Sequence, residues 1–315
     1  MSNILTPLLE PTLCKEAGTE EFGELNWLVS ADFSQPWLFS PRNSISASLF
    51  WNRQSLKDLF VRESQGATLG LTRTLAVATP LTFSFRPQLT ELSAAEVFLC
   101  SNYGICDPAD TKVLQAANWL SPVGVTLAQD RRNDPLNPTR GHTALVDVEY
   151  AAGWTGSEFP YTRVLSEGTW YTQRGSRQGR PRWVLGARLH GGWVSPGGFR
   201  GLGQSEASNE IVHPEKRLYG GGATSVRGFA QNRLGPQVLY LDDVGAALST
   251  PVDDQLTPVC LPEQIEDLSC NPGALPDGSF SPRPTGGTRL LEGSLEVRFP
   301  VAGPLWEGAA LSLIH

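Results

Sequence analysis

Leu291-Glu292-Gly293-Ser294-Leu295-Glu296-Val297-Arg298-Phe299 places an apolar or small residue at every odd position and a polar one at every even position. Successive side chains of a β-strand point to opposite faces. This run therefore gives one face to Leu291, Gly293, Leu295, Val297 and Phe299, and the other to Glu292, Ser294, Glu296 and Arg298. The first face needs an apolar surrounding and the second needs water. A strand with lipid on one side and a polar lumen on the other meets both demands.

The same period recurs along the chain. Leu25, Trp27, Val29, Ala31 and Phe33 alternate with Asn26, Leu28, Ser30, Asp32 and Ser34. Ile45, Ala47, Leu49 and Trp51 oppose Ser46, Ser48, Phe50 and Asn52, and Ala67, Leu69 and Leu71 oppose Thr68, Gly70 and Thr72. Leu81, Phe83, Phe85 and Leu89 stand against Thr82, Ser84, Arg86, Gln88 and Thr90. Val123, Val125 and Leu127 oppose Gly124, Thr126 and Asp130; Ala144, Val146, Val148 and Tyr150 oppose Asp147 and Glu149; Trp183, Leu185, Ala187 and Leu189 oppose Arg182, Arg188 and His190. With a less regular strand over 159–172 and a last one over 306–314, the pattern predicts about ten strands, within the range of outer-membrane barrels. The fold class expected is all-β, a transmembrane antiparallel β-barrel. A soluble sandwich also alternates, but rarely through so many successive strands with charge confined to one face. Trp27, Trp51, Phe85 and Trp183 are expected to face lipid.

Composition agrees. The 315 residues include 32 glycines and 9 tryptophans but one methionine, and 18% are charged. That mixture suits short strands and turns better than helices. No stretch approaches the roughly 18 consecutive apolar residues of a spanning helix, whereas a barrel strand needs only about 9 to 11. Alternation keeps the mean hydropathy low, at −0.19. The formal net charge is −7 and no basic run appears, which argues against nucleic acid as a partner.

The segment 1–24 carries Cys14, several carboxylates and little apolar character, and it lacks the basic start and apolar run of a signal peptide. It reads as a non-barrel or disordered segment preceding a barrel domain over 25–315. Connections alternate in length. Those at 36–43, 76–80, 131–141, 174–180 and 300–304 are short and rich in Pro, Gly and Asn. The intervening ones are mostly longer, 93–120 and above all 195–287. Tight periplasmic turns at one end and longer loops outside are the corresponding barrel asymmetry. Cys100 with Cys106, and Cys260 with Cys270, fall in the long connections and leave Cys14 alone. Two local disulfides suit an oxidising compartment; unpaired loop thiols are the alternative, and the spacings are not those of a zinc site.

Two stretches are more specific than architecture. One is Asp130-Arg131-Arg132-Asn133-Asp134-Pro135-Leu136-Asn137-Pro138-Thr139-Arg140-Gly141. The other is Gly220-Gly221-Gly222-Ala223-Thr224-Ser225-Val226-Arg227-Gly228-Phe229, followed by Leu234, Gly235 and Pro236. The first, through Asp130, Arg132, Pro135, Pro138 and Gly141, resembles the D-x-R-x-x-P-x-x-P-x-x-G turn of the BamA and TamA type of bacterial surface-antigen barrels. The second resembles that family's G-G-x-x-S-V-R-G-F signature, carried by a long loop that folds back into the barrel. Ser294 to Pro300 resembles the strand after that loop, and Glu63 to Leu75 an earlier strand.

The resemblance implies an outer-membrane assembly factor, an insertase or translocator of a Gram-negative bacterium. It implies about sixteen strands preceded by POTRA domains, so that the present pattern reads as a partial barrel. Its implied partners are outer-membrane lipids, nascent outer-membrane proteins and accessory assembly lipoproteins, with no cofactor. Family members carry an aspartate on the strand matching 306–314, and none stands there in this chain. From the resemblance and the strand register together, the Val226-Arg227-Gly228-Phe229 loop is expected in the lumen, with Arg227 paired to the inward-facing Glu296.

No enzyme constellation emerges. The glycines at 197–203 and 220–222 lack a following G-K-[ST]. Neither a G-x-S-x-G elbow nor an H-E-x-x-H is present. His142, His190, His213 and His315 are scattered, and Asp147 and Glu149, on one strand face, read as lumen polarity. A passive diffusion porin would share the alternation without needing the Val226–Phe229 loop. A soluble β-sandwich adhesin would need its outward Trp and Leu face covered by a second sheet.

Overall fold

The computed structural model describes residues 26–56, 60–93, 108–177, 180–197, 212–223, 225–241, 280–300 and 310–314. The wall begins with β1 (Trp27–Pro36), β2 (Asn43–Leu56), β3 (Phe60–Ala76), β4 (Thr79–Phe85) and β5 (Gln88–Ser93). A short helix α1 (Pro108–Gln115) precedes β6 (Asn118–Leu120), β7 (Val123–Asp130), β8 (Gly141–Ala151), β9 (Tyr161–Arg177) and β10 (Arg180–Pro196). Beyond the long connection, in which β11 (Gln237–Leu241) and β12 (Phe280–Pro284) form a separate hairpin, the wall resumes with β13 (Arg289–Pro300) and β14 (Ala310–Ile314).

All pairings are antiparallel, in the order β1-β2-β3-β4-β7-β8-β9-β10-β13-β14, and β5 joins β3 to β6. Two of the ten positions on this path are bent strands, β4 with β5 and β6 with β7. A proline sits at each bend, where it has no N–H to give to a ladder. The backbone still bonds there: the Pro87 carbonyl accepts from Ala67 N (2.9 Å) and the Pro122 carbonyl from Arg86 N (3.0 Å). The ten strand positions match the number expected from alternation. The sheet runs from β1 to β14 without pairing those two among the described residues. It is the wall of an antiparallel transmembrane barrel, present in part.

Register carries the alternation from strand to strand. Val29 lies opposite Trp51, Leu49 opposite Ala67, Leu71 opposite Phe83, and Phe83 opposite Val125. Val125 then faces Val148, Ala187 faces Trp170 and Leu295, and Val297 faces Leu313. One apolar face thus spans the sheet, and it is uncovered: Phe33, Leu49, Trp51, Leu69, Phe83, Trp170, Trp183 and Leu189 are exposed, and Leu291 is 78% exposed. A monomeric soluble protein rarely shows so large a contiguous apolar surface. Trp27 meets Trp51 edge-on with ring centroids 4.8 Å apart.

The other face is polar and holds what core there is. Val212 and Leu218 of the long connection pack against Ala151, Tyr161 and Val194 of the wall, with Leu165 and Leu290 beside them. Some boundaries differ from those the pattern predicts. β9 runs to Arg177 and β14 starts at Ala310. β2 and β3 stay paired to Leu56 and Phe60, so this connection is short although it lies at the long-loop end. The segment 1–24 and Cys14, Cys100, Cys106, Cys260 and Cys270 lie outside the described residues.

Candidate functional site

The site lies where the long connection re-enters the lumen, and it has a root and a tip. At the root, Pro214–Lys216 forms a single 3-10 turn that drives Glu215 into the polar face. Glu215 accepts hydrogen bonds from Gln88 Nε2 (3.0 Å) and Thr90 Oγ1 (3.1 Å) and faces Arg62 Nη1 at 3.0 Å. Lys216 Nζ lies 3.5 Å from Glu215 and 3.8 Å from Glu149. Glu149 is itself nearly sealed, and it takes Arg86 Nη1 at 3.1 Å, Arg163 Nη1 at 3.6 Å and the Tyr161 hydroxyl at 3.0 Å. Two carboxylates thus lock four cationic side chains, and the network ties the connection to β3, β5, β8 and β9. Reciprocal backbone bonds between Leu218 and Gly287 (2.9 and 2.8 Å) hold its two limbs together.

Burial would raise the Glu215 carboxyl, but the Lys216 ammonium and the Arg62 guanidinium outweigh it and hold the group down at about 2. Burial has the opposite consequence for His213, whose ring sits 4.9 Å from that of Phe159. It pushes this imidazole down to about 4, so the ring is neutral near pH 7.

At the tip, Gly221 and Gly222 take φ of +98° and +101°. A Cβ on Gly221 would meet the Ala230 carbonyl at 2.7 Å, and one on Gly222 would strike the Gln231 side chain. Only glycine allows the tight turn here. The turn brings the Ser225 hydroxyl to the Gly221 N–H (2.9 Å), and that hydroxyl donates in turn to Glu292 of β13. Glu292 also lies 3.3 Å from His190 Nδ1. A cavity of about 240 Å³ remains between tip and wall, lined by Arg188, His190, Ser225, Val226, Arg227, Phe229, Glu292, Gly293 and Ser294. Arg227, Gly228 and Phe229 are exposed around it. Arg188 is held by Glu167 at 3.0 and 3.1 Å.

The Arg227–Glu296 pair expected from the register is not what holds the loop. Glu296 is engaged bidentately by Arg298, both contacts at 2.9 Å, and the loop reaches β13 through Ser225 and Glu292 instead. Depth explains the difference. Both carboxylates share the lumen face, but Glu296 lies four residues further along β13, roughly 13 Å deeper at the rise of a strand. The tip stops at the upper level.

At the opposite end, the 131–141 turn is built by its own side chains. Arg132 grips Asp130 (2.6 Å), Asn133 Oδ1 accepts from the Thr139 and Arg140 N–H groups (3.0 Å each), and Asp134 Oδ1 accepts from Leu136 N (2.9 Å). Gly141 closes it at φ +104°, where a Cβ would collide with the Arg131 carbonyl. Sequence reasoning marked Glu149 as lumen polarity and His213 as scattered, and it missed Glu215 and Lys216. Their one local signal was a Pro-Glu-Lys run inside a loop. The partners lie on four strands distant in sequence.

A structure of BamA from Haemophilus ducreyi lacking POTRA domains 1-3 is similar, with a TM-score of 0.64 at 16% identity, over 91% of this chain and 48% of that one. That likeness concerns the fold, and the present chain spans about half the length of that protein. The family model described as the Omp85 superfamily domain matches residues 17–310. With that match over most of its length and an uncovered apolar face around a polar lumen, the chain belongs to the Omp85 superfamily and is a protein of the Gram-negative outer membrane.

Proposed function

We propose that this chain forms the wall and inward-folded loop of an outer-membrane assembly barrel, an insertase or translocator that handles nascent outer-membrane proteins. Its role is binding and conformational control, with no covalent step. Outer-membrane lipids would contact the apolar face, and accessory assembly lipoproteins would act with the barrel. The observation that carries this reading is the docked loop. A wall that served only passive diffusion would not need the Val226–Phe229 motif that this connection, with its root held by buried ion pairs, carries to β13. The tip residues Val226, Arg227, Gly228 and Phe229 would be its working element, with Glu296 within the same lumen.

The experiment is insertion of an unfolded outer-membrane client into vesicles containing the full chain. Arg227→Ala and Phe229→Ala should leave the barrel membrane-inserted and lower the client's insertion rate. Unchanged rates in both variants would refute the reading. A passive diffusion porin would instead show solute flux that does not depend on these residues.

A further inference from the structure

The 131–141 turn does more than join β7 to β8. Arg298 Nη1 donates to Asn137 Oδ1 (3.3 Å) and to the Pro138 carbonyl (3.2 Å). Between β8 and β13 stand β9 and β10. Three interstrand steps amount to roughly 14 Å of wall. A two-residue hairpin could not span that arc. The turn does so because Arg132, Asn133 and Asp134 fix its bends in one conformation, and Pro138 is buried at the far point while Leu136 and Asn137 stay exposed.

The receiving side is equally prepared. Both oxygens of Glu296 fix the Arg298 guanidinium, which lies 5.6 Å over the Tyr171 ring. Tyr171 occupies the space left by Gly186, where a Cβ would come within 3.1 Å of its ring. A guanidinium held by a carboxylate and an aromatic face has little rotamer freedom left to lose when it binds the turn.

We infer that the 131–141 turn is a strap drawn across the short-turn mouth of the lumen and latched on Arg298. The latch restricts access to the lumen from that mouth, and breaking it admits solutes. Because Glu292, which receives the loop tip, and Arg298, which receives the strap, share one face of β13, the two devices close the lumen from opposite ends.

The test uses the full chain in vesicles, with the native cysteines changed to serine. In one protein, protease is supplied at the short-turn side; a strap in place resists cleavage between positions 133 and 140, and Arg298→Ala should raise the cleavage rate roughly tenfold. In a second, Ser294→Cys is labelled by a bulky, charged thiol reagent supplied at the short-turn side, and Arg298→Ala should raise its rate roughly tenfold, the scale of losing hydrogen bonds to a charged group. Arg298→Lys, which keeps a donor without the fork, should fall between. Should Arg298→Ala fail to insert, Asn137→Ala gives the same readout with a smaller rise. Cleavage of the unaltered turn as fast as in Arg298→Ala, or a labelling rate that neither substitution changes, overturns the strap. Client insertion measured on the same proteins bears on the assembly reading alone.

Discussion

The root and the tip of the inward-folded loop are attached to the same wall by opposite means. At the root, charge is taken out of water and matched: Glu215 and Glu149 are almost completely buried, and each meets more than one cation. At the tip, one serine hydroxyl joins the loop to Glu292, and Arg227 stays exposed beside a cavity. A buried ion pair adds little net stability over an apolar pair of equal volume, yet it is costly to break once one partner is removed. The root is therefore an anchor that fixes where the loop enters. The tip is held by less and should open before the root does.

The largest effect should come from cutting the anchor. Glu215→Gln leaves Arg62 and Lys216 without that carboxylate in a dry environment, at a cost of about 3–5 kcal/mol. The expected outcome is rapid proteolysis of the 212–236 segment in a barrel that remains membrane-inserted. Resistance equal to that of the unaltered protein would show that the root is not the anchor.

The second effect is a pH dependence with two stages. His213 has a folded value near 4, below the ordinary 6.5, so the unfolded or released loop binds a proton that the docked loop refuses. Its contribution is complete above about 6.5 and is lost as pH falls through 4. Glu215, held at about 2 against an ordinary 4.5, contributes above 4.5 and loses that contribution as pH falls toward 2. Docking should therefore weaken on acidification in both windows, as read by hydrogen exchange at the Leu218 and Gly287 amides. His213→Phe should flatten the upper window and spare the lower. A docking equilibrium that tightens on acidification would contradict the assignment.

The wall was legible in the sequence because alternation is a local signal: Leu291 to Phe299 declares both its faces without reference to any other strand. The glycine-shaped tip was legible for the same reason, since Gly221 and Gly222 sit next to the residues they serve. The anchor was not. Glu215 finds Arg62, Gln88 and Thr90 because β3 pairs with β5, and Lys216 reaches Glu149 from a loop sixty-odd positions away. Nothing in a Pro-Glu-Lys run announces those neighbours. Glu296 shows the intermediate case: its face was read correctly from the register, but its partner depends on how deep the loop descends, which pairing alone does not determine.

A third, smaller effect belongs to the tip. Ser225→Ala removes the hydroxyl that links the Gly221 N–H to Glu292 and should loosen the tip by about 2 kcal/mol, the net scale of a hydrogen bond to a charged group. Proteolysis should quicken at 221–229 and stay unchanged at the root. A double-mutant cycle with Glu292→Gln should show coupling of about 0.5 kcal/mol or more.

Arg227→Ala should change stability least of all, within about 0.5 kcal/mol, because the side chain is exposed and makes no hydrogen bond or ion pair among the described residues. The same reasoning predicts an Arg227/Glu296 cycle close to zero, since Glu296 is already committed to Arg298 at 2.9 Å. Client insertion should nevertheless fall in Arg227→Ala if the exposed guanidinium is what the tip offers. A residue that matters for insertion and not for stability is one whose partner arrives only during work, whereas Glu215 should show the reverse order. If thermal unfolding of the vesicle-inserted protein gave Arg227→Ala a loss comparable to that of Glu215→Gln, with strong coupling to Glu296, the tip would be a second anchor and the contrast between the two ends of the loop would disappear.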